Sequence, residues 1–175
     1  MIRGHVILSH GFESGPGATK VTALAQVAEA AGWTHERPDF TDLDGRGDIS
    51  QLGDVGARLV RLRTLAEAAA KKGPLVLVGS SLGAYTSAQV SLLVPVHALF
   101  LMAPPTVMGP LPVLDAAQVP VSIIHGWDDE LIPAKNVADW AQARRARLLL
   151  VDDDHHLSNH VETAAHAFAE LLAGL

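Results

Sequence analysis

The chain contains no cysteine. That absence excludes a disulfide framework, a thiolate metal site and a cysteine nucleophile together, so any nucleophile must be oxygen or nitrogen. Basic runs are missing as well: 13 Lys and Arg stand against 19 Asp and Glu, for a net charge of −6. No electrostatic footprint for nucleic acid or an anionic membrane results, and neither partner is expected. Long apolar runs are also lacking. The stretch from Leu92 to Met108 is broken by Pro95, His97, Pro104 and Pro105 and cannot supply the ~20 apolar helical residues of a membrane span. Near the start only Val6, Ile7 and Leu8 are continuously apolar, short of the about 7–15 residues of a signal-peptide core, so a cytoplasmic location is expected.

What is present describes a packed domain. With 175 residues, 49% of them hydrophobic, the chain is long enough for a sizeable core, and one domain over residues 1–175 is expected. Short β-type runs alternate with helical patterns. The runs are His5–Leu8, Trp33–Arg37, Leu75–Val78, Ala98–Met102, Val121–His125 and Arg147–Val151; the helical stretches are Ala18–Ala31, Val55–Lys72, Gly83–Leu93, Ala134–Arg144 and Val161–Leu172. Alternation of this kind predicts a three-layer α/β/α sandwich around a doubly wound, mostly parallel six-stranded sheet. Four of the runs are nearly continuously apolar, as strands covered on both faces should be.

Val55, Leu59, Leu62, Ala66 and Ala69 recur at helical spacing and form one stripe facing the sheet. Gly11–Gly17, Asp39–Gly53 and Pro104–Pro120 fit no regular element and read as loops. The second loop contains Arg46-Gly47-Asp48, read as a turn rather than an adhesion motif.

The sharpest chemical signal is Gly79-Ser80-Ser81-Leu82-Gly83, between a β run and a helical pattern. It reads as a nucleophile elbow: the glycines remove side chains that would collide where a strand turns abruptly into a helix, leaving Ser81 exposed at the helix N-terminus. A lone serine needs a histidine as base and an acid to orient it. The run Val121–Ile124 is followed by His125-Gly126-Trp127-Asp128-Asp129-Glu130, and the run Leu148–Val151 by Asp152-Asp153-Asp154-His155-His156. Catalytic groups of open α/β sheets gather at the carboxyl ends of strands, so Ser81, an acid from Asp128 or Asp129, and a base from His155 or His156 can converge. His10 and His125 read as bracing residues. His156 and His160 have the spacing of a helical metal pair, but Leu157 stands where a metalloprotease has Glu and no third ligand is evident.

With these motifs the chain resembles the α/β-hydrolase superfamily, and most closely its small capless bacterial esterases of the YqiA type. The resemblance covers nearly the whole chain and implies a Ser-Asp-His order, which falls on Ser81, Asp129 and His155. It likewise makes Ser9-His10-Gly11-Phe12 the segment whose last residue donates a backbone N–H to an oxyanion, with Leu82 N–H as the second donor. Two N-terminal strands of the full superfamily fold are missing, and the sheet order 2-1-3-4-5-6 follows. The Pro- and Gly-bearing segment Pro104–Pro120 has no room for a helical lid. Phe12, Leu82, Pro104, Pro105, Met108 and Trp127 are expected around the site mouth, with Pro104, Met108 and Trp127 as substrate contacts. No cofactor or metal is required. The activity implied is hydrolysis of small-molecule carboxylic esters with short or medium acyl chains; the same residues could also cleave amide, thioester or C–C bonds, whereas a non-catalytic scaffold would show a broken triad.

Overall fold

The structure, a computed structural model, describes residues 1–45 and 53–175, so Arg46-Gly47-Asp48 lies outside the described residues. Strands β1 (His5–Ser9), β2 (Thr34–Glu36), β3 (Leu75–Ser80), β4 (Ala98–Met102), β5 (Val121–Gly126) and β6 (Arg147–Val151) alternate with helices. These are α1 (Thr19–Ala30), α2 (Thr41–Asp44), α3 (Val55–Ala70), α4 (Leu82–Ser91), α5 (Ala134–Arg144) and α6 (Val161–Ala173). All strand pairs are parallel and the order is β2-β1-β3-β4-β5-β6, as the sequence predicts.

Alternation within each strand divides the core into two layers. Ile7, Leu75, Leu77, Leu99, Leu101 and Ile123 pack with Leu62 and Ala66 of α3, Ala84 and Ala88 of α4 and Val137 of α5. Val6, Leu8, Val76, Val78, Phe100, Met102 and Ile124 pack on the other face with Leu24 and Ala28 of α1 and Ala164 and Phe168 of α6. The four central strands are buried almost throughout, while β2 and β6, at the sheet edges, are more open. Among the described residues no helix is long and apolar enough to cross a membrane.

Two expectations change. The loop read over residues 39–53 contains the single-turn helix α2, too short to leave a periodic pattern. The stripe of α3 also carries a charge: Arg58 lies among its inward positions and is 1% exposed. The segment after β4 carries no helix through residue 120, as expected.

Candidate active site

β3 passes into α4 through Ser81, whose backbone stands at φ 52°, ψ −115°. A non-glycine residue there costs of order 1–3 kcal/mol and must be held by its surroundings. Ser81 N–H donates to the Met102 carbonyl at 2.8 Å, and its own carbonyl accepts from Ala84 and Tyr85 N–H. The flanking glycines admit nothing larger: a Cβ on Gly79 would stand 2.1 Å from the Gly83 carbonyl oxygen, and one on Gly83 would stand 2.1 Å from the Ser9 carbonyl oxygen. Close backbone approach, rather than flexibility, therefore fixes both positions.

Ser81 Oγ lies 2.9 Å from His155 Nε2, and His155 Nδ1 lies 2.7 Å from Asp129 Oδ2. His155 follows β6 and Asp129 follows β5, so three strand ends bring these groups together. Asp129 is buried, and its Oδ1 accepts N–H groups from Leu131 at 2.9 Å and Ile132 at 2.8 Å. His125 braces this turn, donating from Nε2 to the Ile132 carbonyl at 2.8 Å with Asp129 Oδ2 at 3.4 Å. Burial holds its pKa below the ordinary histidine value, against the raising pull of that carbonyl and of Asp129. Asp128 and His156 are exposed and stand outside the chain of bonds. Asp153 turns to His160 Nδ1 at 2.9 Å and to the N–H groups of Asp154 and Asn159. Among the described residues no cluster of three His, Asp or Glu side chains is arranged to hold a metal.

The segment after β1 runs beside the serine: a Cβ on Gly11 would lie 3.6 Å from Ser81 Cβ. Phe12 N–H and Leu82 N–H, the expected oxyanion donors, make no hydrogen bond with another described residue. Beneath them lies a polar cluster that the sequence reading missed. Arg58 donates Nε and Nη2 to the two carboxylate oxygens of buried Asp44, at 2.9 and 2.8 Å. It also donates Nη1 to the His10 carbonyl at 2.9 Å and Nη2 to the Gly11 carbonyl at 3.1 Å. Asp44 Oδ2 in turn accepts Glu13 N–H at 3.1 Å. His10 is fully enclosed, donating from Nδ1 to the Gly11 carbonyl at 2.7 Å and accepting Phe40 N–H at Nε2 at 2.9 Å. Burial lowers its pKa and keeps it neutral, which the acceptor role of Nε2 requires. The available signal was an arginine on an otherwise apolar helix stripe, a position where an unpaired charge would be prohibitively costly.

Two cavities open onto Ser81 and His155. One, of about 800 Å3, is walled mainly by apolar groups, including Val55, Leu82, Pro105, Met108, Leu111 and Ile132. The other, of about 500 Å3, is more polar, with Ser14, Lys20, His156 and Ser158 along its wall. Of the expected substrate contacts, Met108 lines the apolar cavity and Pro104 and Trp127 line neither. Pro104 is buried, whereas Trp127 is 60% exposed, its backbone N–H donating to the Val151 carbonyl. The cavity wall from residue 105 to 111 is steadied from behind, where Tyr85 Oη donates to the Pro112 carbonyl at 2.7 Å and Trp140 Nε1 to the Leu114 carbonyl at 2.8 Å.

Comparison of the whole structure with solved ones places this geometry in a family. A protein of Xanthomonas campestris pv. campestris, described as of the alpha/beta superfamily of hydrolases, superposes with a TM-score of 0.97 at 70% identity, covering 99% of this chain and 100% of that one. The chain belongs to the alpha/beta hydrolase superfamily. Two more distant structures share the fold. A lidless α/β serine hydrolase of Xanthomonas campestris, XC6422, matches with TM-score 0.77 and 20% identity over 99% of this chain and 83% of that one. The Pyrococcus furiosus esterase Pf2001 matches with TM-score 0.78 and 15% identity over 99% and 83%. No family model and no curated protein sequence matches the chain.

Proposed function

We propose that this protein is a serine carboxylesterase acting on small-molecule esters with short or medium acyl chains, with Ser81 as nucleophile, His155 as base and Asp129 as orienting acid. The observation that carries the reading is the unbroken chain of hydrogen bonds from Ser81 Oγ through His155 to Asp129. Its two distances lie within the reach that proton transfer requires. The esterase named among the fold's relatives is consistent with it.

His155 Nε2 takes the Ser81 proton as Oγ bonds to the ester carbonyl carbon, and the carbonyl π pair moves onto oxygen. The Phe12 and Leu82 N–H groups receive that oxyanion, aided by the positive end of α4. The tetrahedral adduct collapses, the C–O bond to the alcohol breaks, and His155 returns its proton to the departing oxygen. Water then attacks the acyl-enzyme, giving a proton to His155, and Ser81 leaves with that proton as the acid is released. Asp129 keeps the Nδ1 proton in place and stabilises the imidazolium. No cofactor enters these steps. The apolar cavity suits the acyl chain, and with no lid among the described residues it is open to substrates of varied shape.

The reading is tested on p-nitrophenyl esters from acetate to decanoate beside matched anilides. Fast turnover of the shorter esters and little of any anilide is expected. Equal turnover of esters and anilides would place the protein among amidases, and no turnover of any ester would refute the proposal.

A further inference from the structure

The buried Arg58–Asp44 pair has no place in the proton-transfer steps, yet Arg58 also donates from Nη1 and Nη2 to the segment beside Ser81. The peptide linking Gly11 and Phe12 is one rigid trans plane, carrying the Gly11 carbonyl on one side and the Phe12 N–H on the other. Fixing the carbonyl fixes the opposite direction of the N–H. That carbonyl accepts three donors: Arg58 Nη2 at 3.1 Å, His10 Nδ1 at 2.7 Å and, across the turn, the Ser14 backbone N–H at 3.3 Å. One residue earlier Arg58 Nη1 holds the His10 carbonyl, and one residue later Asp44 Oδ2 holds Glu13 N–H, where the backbone takes φ 55°. Phe12 is thus clamped from both sides by one bidentate ion pair. Phe40 closes the cluster, its ring centroid 4.7 Å from the Arg58 guanidinium carbon and 5.5 Å from the His10 ring centroid.

We infer that Arg58, locked by Asp44, is the positioning residue of the oxyanion site: it grips the Gly11 carbonyl and thereby aims and polarises the Phe12 N–H toward the substrate carbonyl oxygen. The inference rests on the hydrolase reading above for its catalytic consequence, though not for the geometry. A charge-assisted bond to the carbonyl draws electron density from the shared amide, making its N–H a stronger donor. Lysine cannot substitute, because a single ammonium cannot grip both Asp44 oxygens and two carbonyls in the planar pattern of a guanidinium.

The test uses Arg58→Lys and the double variant Arg58→Met/Asp44→Leu. The latter leaves no lone buried charge and so is the safer variant for folding. Each is assayed on p-nitrophenyl butyrate and with an alkyl trifluoromethyl ketone, which adds to the serine and presents a tetrahedral oxyanion. Loss of one such donor lowers kcat about 10²–10³-fold. Both folded variants are expected to lose kcat on that scale with KM little changed, and to bind the ketone more weakly in proportion. The residual dipolar coupling of the Phe12 N–H should shift while couplings in the β-sheet hold. Wild-type kcat and ketone affinity in a folded variant would overturn the inference, as would a fall in kcat that leaves ketone affinity intact. If wild type itself neither turns over ester nor binds the ketone, the hydrolase reading fails. The Phe12 coupling then still decides the clamp, since an unchanged value would refute it.

Discussion

Asp129 presents its two carboxylate oxygens to different partners: Oδ2 to His155 Nδ1 at 2.7 Å, and Oδ1 to the backbone N–H groups of Leu131 and Ile132. An amide at this position has only one arrangement that keeps the turn, with its oxygen on the N–H groups and its NH2 toward His155. That forces the imidazole proton onto Nε2, the atom that must accept from Ser81. Asp129→Asn is therefore expected to lower kcat about 10⁴-fold while leaving the melting temperature nearly unchanged. A loss below tenfold in steady-state kinetics would mean that Asp129 does not set the tautomer.

The adjacent histidines separate cleanly. His155 faces Ser81 and Asp129, whereas the His156 side chain is exposed and its backbone carbonyl accepts from Lys20 Nζ. His155→Ala should reduce kcat at least about 10³-fold, the scale of removing a general base from such a set. His156→Ala should retain most of the activity. Reversed effects would move the base by one residue.

The elbow makes a prediction about stability. Because a Cβ on Gly83 meets the Ser9 carbonyl oxygen at 2.1 Å, Gly83→Ala must push β1 and α4 apart, at an expected cost of about 3 kcal/mol or more. Gly17 has open space around its missing Cβ, so Gly17→Ala should change stability by less than about 0.5 kcal/mol. Urea denaturation of both variants checks the contrast.

Stability should also fall on mild acidification. His10 and His125 both have folded pKa values lowered from 6.5, chiefly by burial. Between each lowered value and 6.5 the unfolded chain binds a proton that the folded chain refuses. The contribution of these two histidines to the unfolding free energy should thus be level above pH 7 and decline as pH falls through 6.5, by up to about 1.4 kcal/mol per pH unit for each. Denaturant melts between pH 5 and 8 would show it, and His125→Gln should make the slope shallower. A stability independent of pH over that range would contradict the neutral state of both residues.

The legible features were those that obey one local rule. Continuous apolar runs identified the buried strands, so Ala98–Met102 has the predicted bounds, and the helical pattern Ala134–Arg144 likewise matches α5 from end to end. The positions of Ser81, Asp129 and His155 were legible because strand ends collect at one sheet edge. Which of two neighbouring acids or histidines turns inward depends on turn geometry: Asp129 is selected by its bonds to Leu131 and Ile132 N–H, a contact with no sequence signature. Asp44 and Arg58, 14 positions apart, were illegible for the opposite reason. Their pairing depends on how a one-turn helix docks against α3, and neither residue sits in a motif. Trp127 lines neither cavity, and its strand-end position in the sequence says nothing of the direction its side chain takes.

The central claim is that Ser81 is an activated nucleophile, and covalent labelling by a fluorophosphonate probe tests it most directly. Wild type should be labelled with one equivalent on Ser81, and Ser81→Ala should not be labelled at all. Equal labelling of the two, or none of the wild type, would contradict the account.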